Sequence, residues 1–217
     1  MDMTVSTIYP DYDVMKEKAK WDENTRHVVE GRLKAPGMPR FFSPQELTLL
    51  KSALHRIVDE EDKGIIARVA GQIDDHLAEK RGQGYRQVGV AEEEALFRLG
   101  LTLLDTTAMQ AYEESFLQLT AQQKDEILGQ VQRGEVIWKE IKPQDFFNKL
   151  LRTAVDFFFS QPEIWSEIGY GGPAYPRGYY RIEYGLKDPW EARLDRKLVA
   201  KRAEAGLGPG PIRRVDR

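Results

Sequence analysis

The densest grouping of side chains able to move a proton or hold a metal is Asp74-Asp75-His76 followed by Glu79. A carboxylate pair beside an imidazole can act as a general base or supply oxygen and nitrogen ligands. A helical register puts His76 and Glu79 on one face. The same register turns Ile73 and Leu77 inward, so the competing reading is a solvated polar stripe on an amphipathic helix, and the balance favours it. His55 and Asp59 are spaced i, i+4, which supports a helix without requiring chemistry. His27 has still less to recommend it. The acidic run Asp59-Glu60-Glu61-Asp62 lacks the alternating oxygen ligands of an EF-hand loop and reads as a solvated loop.

Other catalytic templates fail on residue identity. A four-helix di-iron site needs Glu-x-x-His twice, but the residues three before His27, His55 and His76 are Asn24, Ser52 and Ile73. H-E-x-x-H, G-x-S-x-G and the Walker A loop do not occur, and Gly82, Gly84, Gly206, Gly208 and Gly210 do not complete G-x-G-x-x-G. With no cysteine, the chain has no disulfide, thiolate zinc site, iron-sulfur ligand set or C-x-x-C-H haem attachment. We therefore expect no catalytic, cofactor-binding or metal-binding residue in this chain.

The elements that would position such groups are helical. A chain of 217 residues can bury about 70% of its unfolded surface. Its composition, 41% hydrophobic and 31% charged, is ordinary for a globular protein. Residues 1–40 carry Pro10, Pro36 and Pro39 without sustained periodicity and read as an arm with one short helix near 22–33. Phe41-Phe42-Ser43-Pro44-Gln45-Glu46 is a helix start, with Ser43 as N-cap, Pro44 first and Glu46 closing a capping box. Leu47, Leu50, Leu54, Ile57 and Val58 follow at helical spacing. Ile66, Val69, Ala70, Ile73 and Leu77 predict a second helix, broken by Gly82-Gln83-Gly84. A third spans about 91–116, and Thr120 with Gln123 opens a fourth. The last core helix starts at Lys142-Pro143-Gln144-Asp145, where Phe146, Phe147, Leu150, Leu151, Ala154, Val155 and Phe158 wrap much of the circumference, predicting all-round burial. The expected organisation is all-α: an arm (1–40), a compact helical core (41–160), an irregular Gly/aromatic segment (161–190), and a basic terminal helix and tail (191–217), the helix reading as 190–204 and the Gly/Pro-rich stretch as 206–211.

The formal charge of −3 argues against general nucleic-acid binding, although it is unevenly distributed and 192–217 is locally basic. No stretch approaches the roughly 20 apolar residues of a membrane span, and no apolar run near Met1 resembles a signal-peptide core. The expectation as written is cytoplasmic, or periplasmic or membrane-peripheral if an exported partner carries the chain.

The segment after Pro162 differs in kind. Trp165, Tyr170, Tyr175, Tyr179, Tyr180, Tyr184 and Trp190 are set among Gly171, Gly172, Pro173, Pro176 and Gly178. Such rings, with Arg177, concentrate at interface hot spots because they combine contact area with a polar handle. The segment could equally cover the open end of its own core, and the two roles can coexist.

Several stretches together resemble one family, gluconate 2-dehydrogenase subunit 3, over about residues 9–191. They are Asp11-Tyr12-Asp13-Val14 with Trp21, Arg40-Phe41-Phe42-Ser43-Pro44-Gln45-Glu46, Phe116-Leu117-Gln118-Leu119-Thr120-Ala121-Gln122-Gln123, and residues 165–180 with Asp188-Pro189-Trp190-Glu191. The chain lacks the twin-arginine signal of many members and has Gly171-Gly172-Pro173 where many have Gly-Gly-Asn. The resemblance implies a small subunit without chemistry of its own that stabilises or matures a large FAD-containing dehydrogenase of the glucose-methanol-choline type. That partner oxidises sugars or polyols, and a cytochrome subunit often passes the electrons on. The expected contact residues are Tyr12, Trp21, Trp165, Tyr170, Gly171, Gly172, Pro173, Tyr175, Arg177, Tyr179, Tyr180 and Trp190. The competing readings are a stand-alone enzyme built on Asp74, Asp75, His76 and Glu79, and a helical adaptor whose basic tail engages an acidic surface or anionic lipid.

Overall fold

The computed structural model describes residues 7–80, 89–181, 183 and 186–204, the Arg202 side chain excepted. The expected breaker Gly82-Gln83-Gly84, Tyr184 and the Gly/Pro-rich tail lie outside the described residues. Among the described residues there is no strand. A 3-10 helix, Val14–Lys20, precedes α1 (Glu23–Arg32), α2 (Pro44–Ile57), α3 (Lys63–Ala78), α4 (Glu93–Tyr112), α5 (Ala121–Arg133), α6 (Pro143–Phe158), α7 (Pro162–Ile168) and α8 (Arg196–Glu204). No helix among the described residues is long and apolar enough to cross a membrane. The contacts divide the chain into two compact units, residues 35–158 and residues 1–34 with 159–217.

The unit 35–158 is a bundle of α2 to α6. Its helix starts follow the sequence, because each capping side chain and its N3 partner satisfy one another's amide. Ser43 Oγ accepts the Glu46 N–H at 3.2 Å while Glu46 accepts the Ser43 N–H at 2.8 Å. Thr120 and Gln123 exchange the same pair at 3.3 and 2.9 Å. Helices α2, α3, α4 and α5 all pack on α6. Leu50, Leu54, Ile73, Phe97, Leu101, Leu104, Ile127, Phe146 and Leu150 are sealed from solvent, each worth about 1.5–3 kcal/mol of transfer free energy. Gly100 lets α4 approach α6 closely, since a Cβ there would overlap the Phe146 ring.

Two expectations fail in this unit. Helix α6 is not buried all round: Asn148, Arg152, Val155 and Asp156 form an exposed stripe, so the helix is amphipathic despite its aromatic content. Helix α4 stops at Tyr112, short of 116, because Glu113 turns left-handed (φ 59°) and Asp105 accepts the Ser115 hydroxyl and the Phe116 N–H, folding 113–116 into a turn.

The other unit joins the chain's two ends. Val14, Trp21, Val29 and Trp165 form its apolar centre, with Tyr12 and Met15 packed against it. The arm is tied to the later segment by Tyr12 Oη donating to the Trp190 carbonyl (3.1 Å), the Val14 N–H to Ser166 Oγ (3.1 Å) and the Asp195 N–H to the Ile8 carbonyl (3.1 Å). Pro162–Ile168, inside the stretch expected to be irregular, is helical. Pro162 sits in its first turn, where a missing N–H costs nothing. The terminal helix is shorter than expected, starting at Arg196 after Asp195 Oδ1 accepts the Lys197 and Leu198 N–H groups, as a short polar side chain does at a helix N-terminus.

Candidate partner interface

The Asp74, Asp75, His76, Glu79 quartet is divided among separate tasks. Asp74 is 2% exposed, and its oxygens accept the backbone N–H groups of Arg40 (2.6 Å), Phe41 (3.1 Å) and Phe42 (2.8 Å). Asp75 and Glu79 receive the Arg40 guanidinium at 3.2 and 3.0 Å. His76 Nε2 lies 3.2 Å from Glu93 Oε1, Lys149 Nζ lies 3.0 Å from Glu93 Oε2, and the imidazole packs edge-on to Phe157. The solvated stripe anticipated for this helix describes Asp75 and misplaces Asp74. Three amides ahead of the Ser43 cap have no helical acceptor, and a buried carboxylate supplies one. His55 Nε2 lies 3.4 Å from Glu61 Oε2, and Asp62 caps α3 through the Gly64 and Ile65 N–H groups. Among the described residues no group of three His, Asp or Glu is placed to hold a metal ion.

The expected contact residues separate into supports and surface. Trp21, Trp165 and Trp190, with Gly171 and Gly172, are buried inside their unit and present no free ring to a partner. Tyr12, Pro173 and Arg177 are partly covered, whereas Tyr170, Tyr175, Tyr179 and Tyr180 are 43%, 68%, 46% and 60% exposed. Two of the buried tryptophans carry two of the exposed tyrosines. Tyr170 packs edge-on to Trp165 at 5.4 Å and Tyr180 to Trp190 at 5.2 Å. In both geometries a ring edge meets a π face. The Arg32 guanidinium covers Trp165 at 5.4 Å and donates to the Ser160 carbonyl, adding a cation–π contact to the support.

Arg177 ties the irregular segment together. Its side chain is 7% exposed, its Nη2 donates to the Gly171 carbonyl, its Nη1 lies 3.6 Å from Glu17 Oε2, and its guanidinium stacks 4.8 Å over Trp190. Gly172 adopts φ +74° where a Cβ would sit 2.9 Å from Trp21 Cζ2, a conformation and a clearance that both suit glycine. Burial, reinforced by the Glu17 charge, pushes the Tyr12 phenol up to about 12, since both disfavour the phenolate. Tyr179 is also raised, by burial first and then by the neighbouring Tyr170.

A cleft of about 400 Å³ in the same unit is lined by Asp11, Tyr12, Asp13, Glu17, Trp190, Glu191 and Asp195 among others. Its carboxylates are largely engaged. Asp13 accepts the Met15 N–H, Glu17 meets Lys20 Nζ at 2.6 Å, Glu191 accepts the Asp188 N–H, and Asp195 caps α8. Sequence reasoning missed Arg32 as a cover for Trp165, for which nothing local gives a signal. It also gave no role to Asp188, 1% exposed and accepting the Tyr180 N–H, although Asp188 stands in a quoted motif.

No curated protein and no solved structure matches the chain. The model of one family, described as gluconate 2-dehydrogenase subunit 3, matches residues 44–172, a span running from the first helical residue of α2 through α7 to the Gly171-Gly172 pair. With more than half of its length matched, and with the helix starts, the 116–123 turn and the glycine pair all serving structural ends, this chain belongs to the gluconate 2-dehydrogenase subunit 3 family.

Proposed function

We propose that the chain is a non-catalytic small subunit that binds, and stabilises or matures, a large FAD-dependent dehydrogenase of the glucose-methanol-choline type acting on sugars or polyols. The family description makes it one subunit of a dehydrogenase. The observation that carries the reading further is the separation of rings: three tryptophans spent on the interior, four tyrosines held on the surface. Tyr170 and Tyr180, which pack on the buried Trp165 and Trp190, lose little side-chain entropy on binding and keep a hydroxyl for hydrogen bonds. The flavin, the alcohol oxidation and any onward cytochrome belong in this reading to partner chains, and the compartment follows from how the partner travels.

The test is to isolate the tagged chain from its native host and take the absorption spectrum of the eluate. A flavin spectrum that travels with the chain through size exclusion supports the reading. A colourless, monodisperse chain sinks it.

A further inference from the structure

Beyond the tyrosines lies a second surface property. Between 181 and 204, among the described residues, the exposed cations are Arg181, Lys187, Arg193, Arg196, Lys197 and Lys201, and the exposed acids are Glu183 and Glu204. The full chain has a formal charge of −3, so this surface runs against the sign of the molecule. It is continuous with the rings. The Arg181 guanidinium lies 6.0 Å from the Tyr180 ring and donates to the Lys187 carbonyl, Lys187 donates to the Ala192 carbonyl, and Arg193 follows. Three of the five acids within the stretch are turned to internal work: Asp188 is buried, Glu191 accepts the Asp188 N–H and Asp195 caps α8. The folding of this segment therefore leaves six cations exposed against two exposed carboxylates of its own, Glu183 and Glu204, while Arg193 shares its cleft with Asp11 and Asp13.

We propose that Tyr175 and Tyr180 together with the exposed cations Arg181, Lys187, Arg193, Arg196, Lys197 and Lys201 form a docking face for an acidic patch on a partner protein. Resting on the preceding reading, that partner is the large dehydrogenase subunit. An aromatic ring held by a buried neighbour, as Tyr180 is by Trp190, beside a mostly cationic surface is the arrangement in which rings supply contact and charges supply steering and register. A protein fits better than a lipid surface. Leu198 and Val199, the larger aliphatic residues of α8, are largely covered by the protein, so the helix offers no sustained apolar face to acyl chains, and the exposed Leu186 and Leu194 ahead of it are single apolar contacts that a protein surface can meet.

The experiment uses the full chain and its co-purified flavoprotein partner. Association is measured against salt for wild type, for Arg193→Glu/Arg196→Glu/Lys197→Glu, and for Tyr175→Ser, with circular dichroism and thermal melts as folding controls. The expected result is a charge-reversed variant that melts like wild type, binds at least ~10-fold more weakly at low salt, and has a flattened salt dependence that brings it level with wild type at high salt. Tyr175→Ser should lose affinity at all salt concentrations. Binding that ignores both changes overturns this proposal and leaves the subunit reading standing. Failure of the wild-type chain to associate with any flavoprotein overturns both. A third arm adds vesicles of phosphatidylcholine with phosphatidylglycerol. Charge-dependent capture there, with flavoprotein binding unaffected by the reversal, would assign the surface to a membrane and overturn the proposal.

Discussion

Tyr180 stands edge-on to Trp190 with ring centroids 5.2 Å apart, the first 60% exposed and the second 6% exposed. Two aromatic residues in contact thus lie on opposite sides of the surface, and the proposed function gives the buried one to stability and the exposed one to recognition. Trp190→Ala should destabilise the unit by about 3–5 kcal/mol, as removal of a buried indole does, and association should fall only as the fold is lost. Tyr180→Ala should cost no more than about 1 kcal/mol of stability and weaken flavoprotein binding in a protein that still melts cooperatively. Denaturation curves paired with binding isotherms separate the two, and equal melting losses would refute the division.

Asp74 carries the second prediction. Three backbone donors converge on it in a buried position. Asp74→Ala leaves them without their acceptor, at about 2–4 kcal/mol, given ~1–3 kcal/mol for each buried group left unmade and partial relief by water. Asp74→Asn should recover part of this. His76→Ala, in contrast, should leave any activity of the assembled complex at its wild-type level per folded molecule. A complex that keeps its melting temperature and loses turnover on His76→Ala would revive the quartet as catalytic machinery.

The difference between those residues also shows what a sequence can reveal. Ser43 with Glu46 and Thr120 with Gln123 are legible because a cap is a local device: the donor, the acceptor and the turn lie within four residues. Asp74 is not, because its partners are 32 to 34 residues earlier and no spacing rule links them. The all-α class follows from periodicity, yet the exposed stripe on α6 does not, since Val155 reads as core until the neighbours of the helix are known. The aromatic segment is legible as unusual. Which of its rings are supports and which are surface depends on the arm folding back beside it, through Val14 and Trp21, and the bond from Val14 to Ser166 joins residues 152 apart.

Tyr12 predicts an alkaline transition. Its folded pKa is about 12 against an ordinary 10.0, so the folded state holds the phenol proton more tightly than the unfolded state. The contribution is complete below pH 10 and disappears as pH rises from 10 towards 12, where the unfolded chain ionises first. Tyr12→Phe should remove this slope and, by deleting the bond to the Trp190 carbonyl, cost at most about 1 kcal/mol near neutrality. Urea midpoints compared under neutral and strongly alkaline conditions test it. An unchanged alkaline loss in the variant would assign the effect to another group.

The Gly171-Gly172 pair offers the sharpest contrast, because the two glycines are bound by different constraints. At Gly172 the backbone has φ +74° and a Cβ would sit 2.9 Å from Trp21 Cζ2 and 3.0 Å from Val14 Cγ2. Alanine there meets both a left-handed penalty of about 1–2 kcal/mol and the unit's apolar centre. At Gly171 the nearest atoms to a Cβ, Arg177 Nη2 and Trp190 Cδ1, are at 3.6 Å, ordinary van der Waals contact. Gly172→Ala should therefore lower stability by at least ~1 kcal/mol more than Gly171→Ala, and should loosen the tyrosine-bearing segment, seen as faster proteolysis between 170 and 181. Should the two alanines cost the same, the turn can move away from Trp21, and the exposed tyrosines are not held in place by that contact.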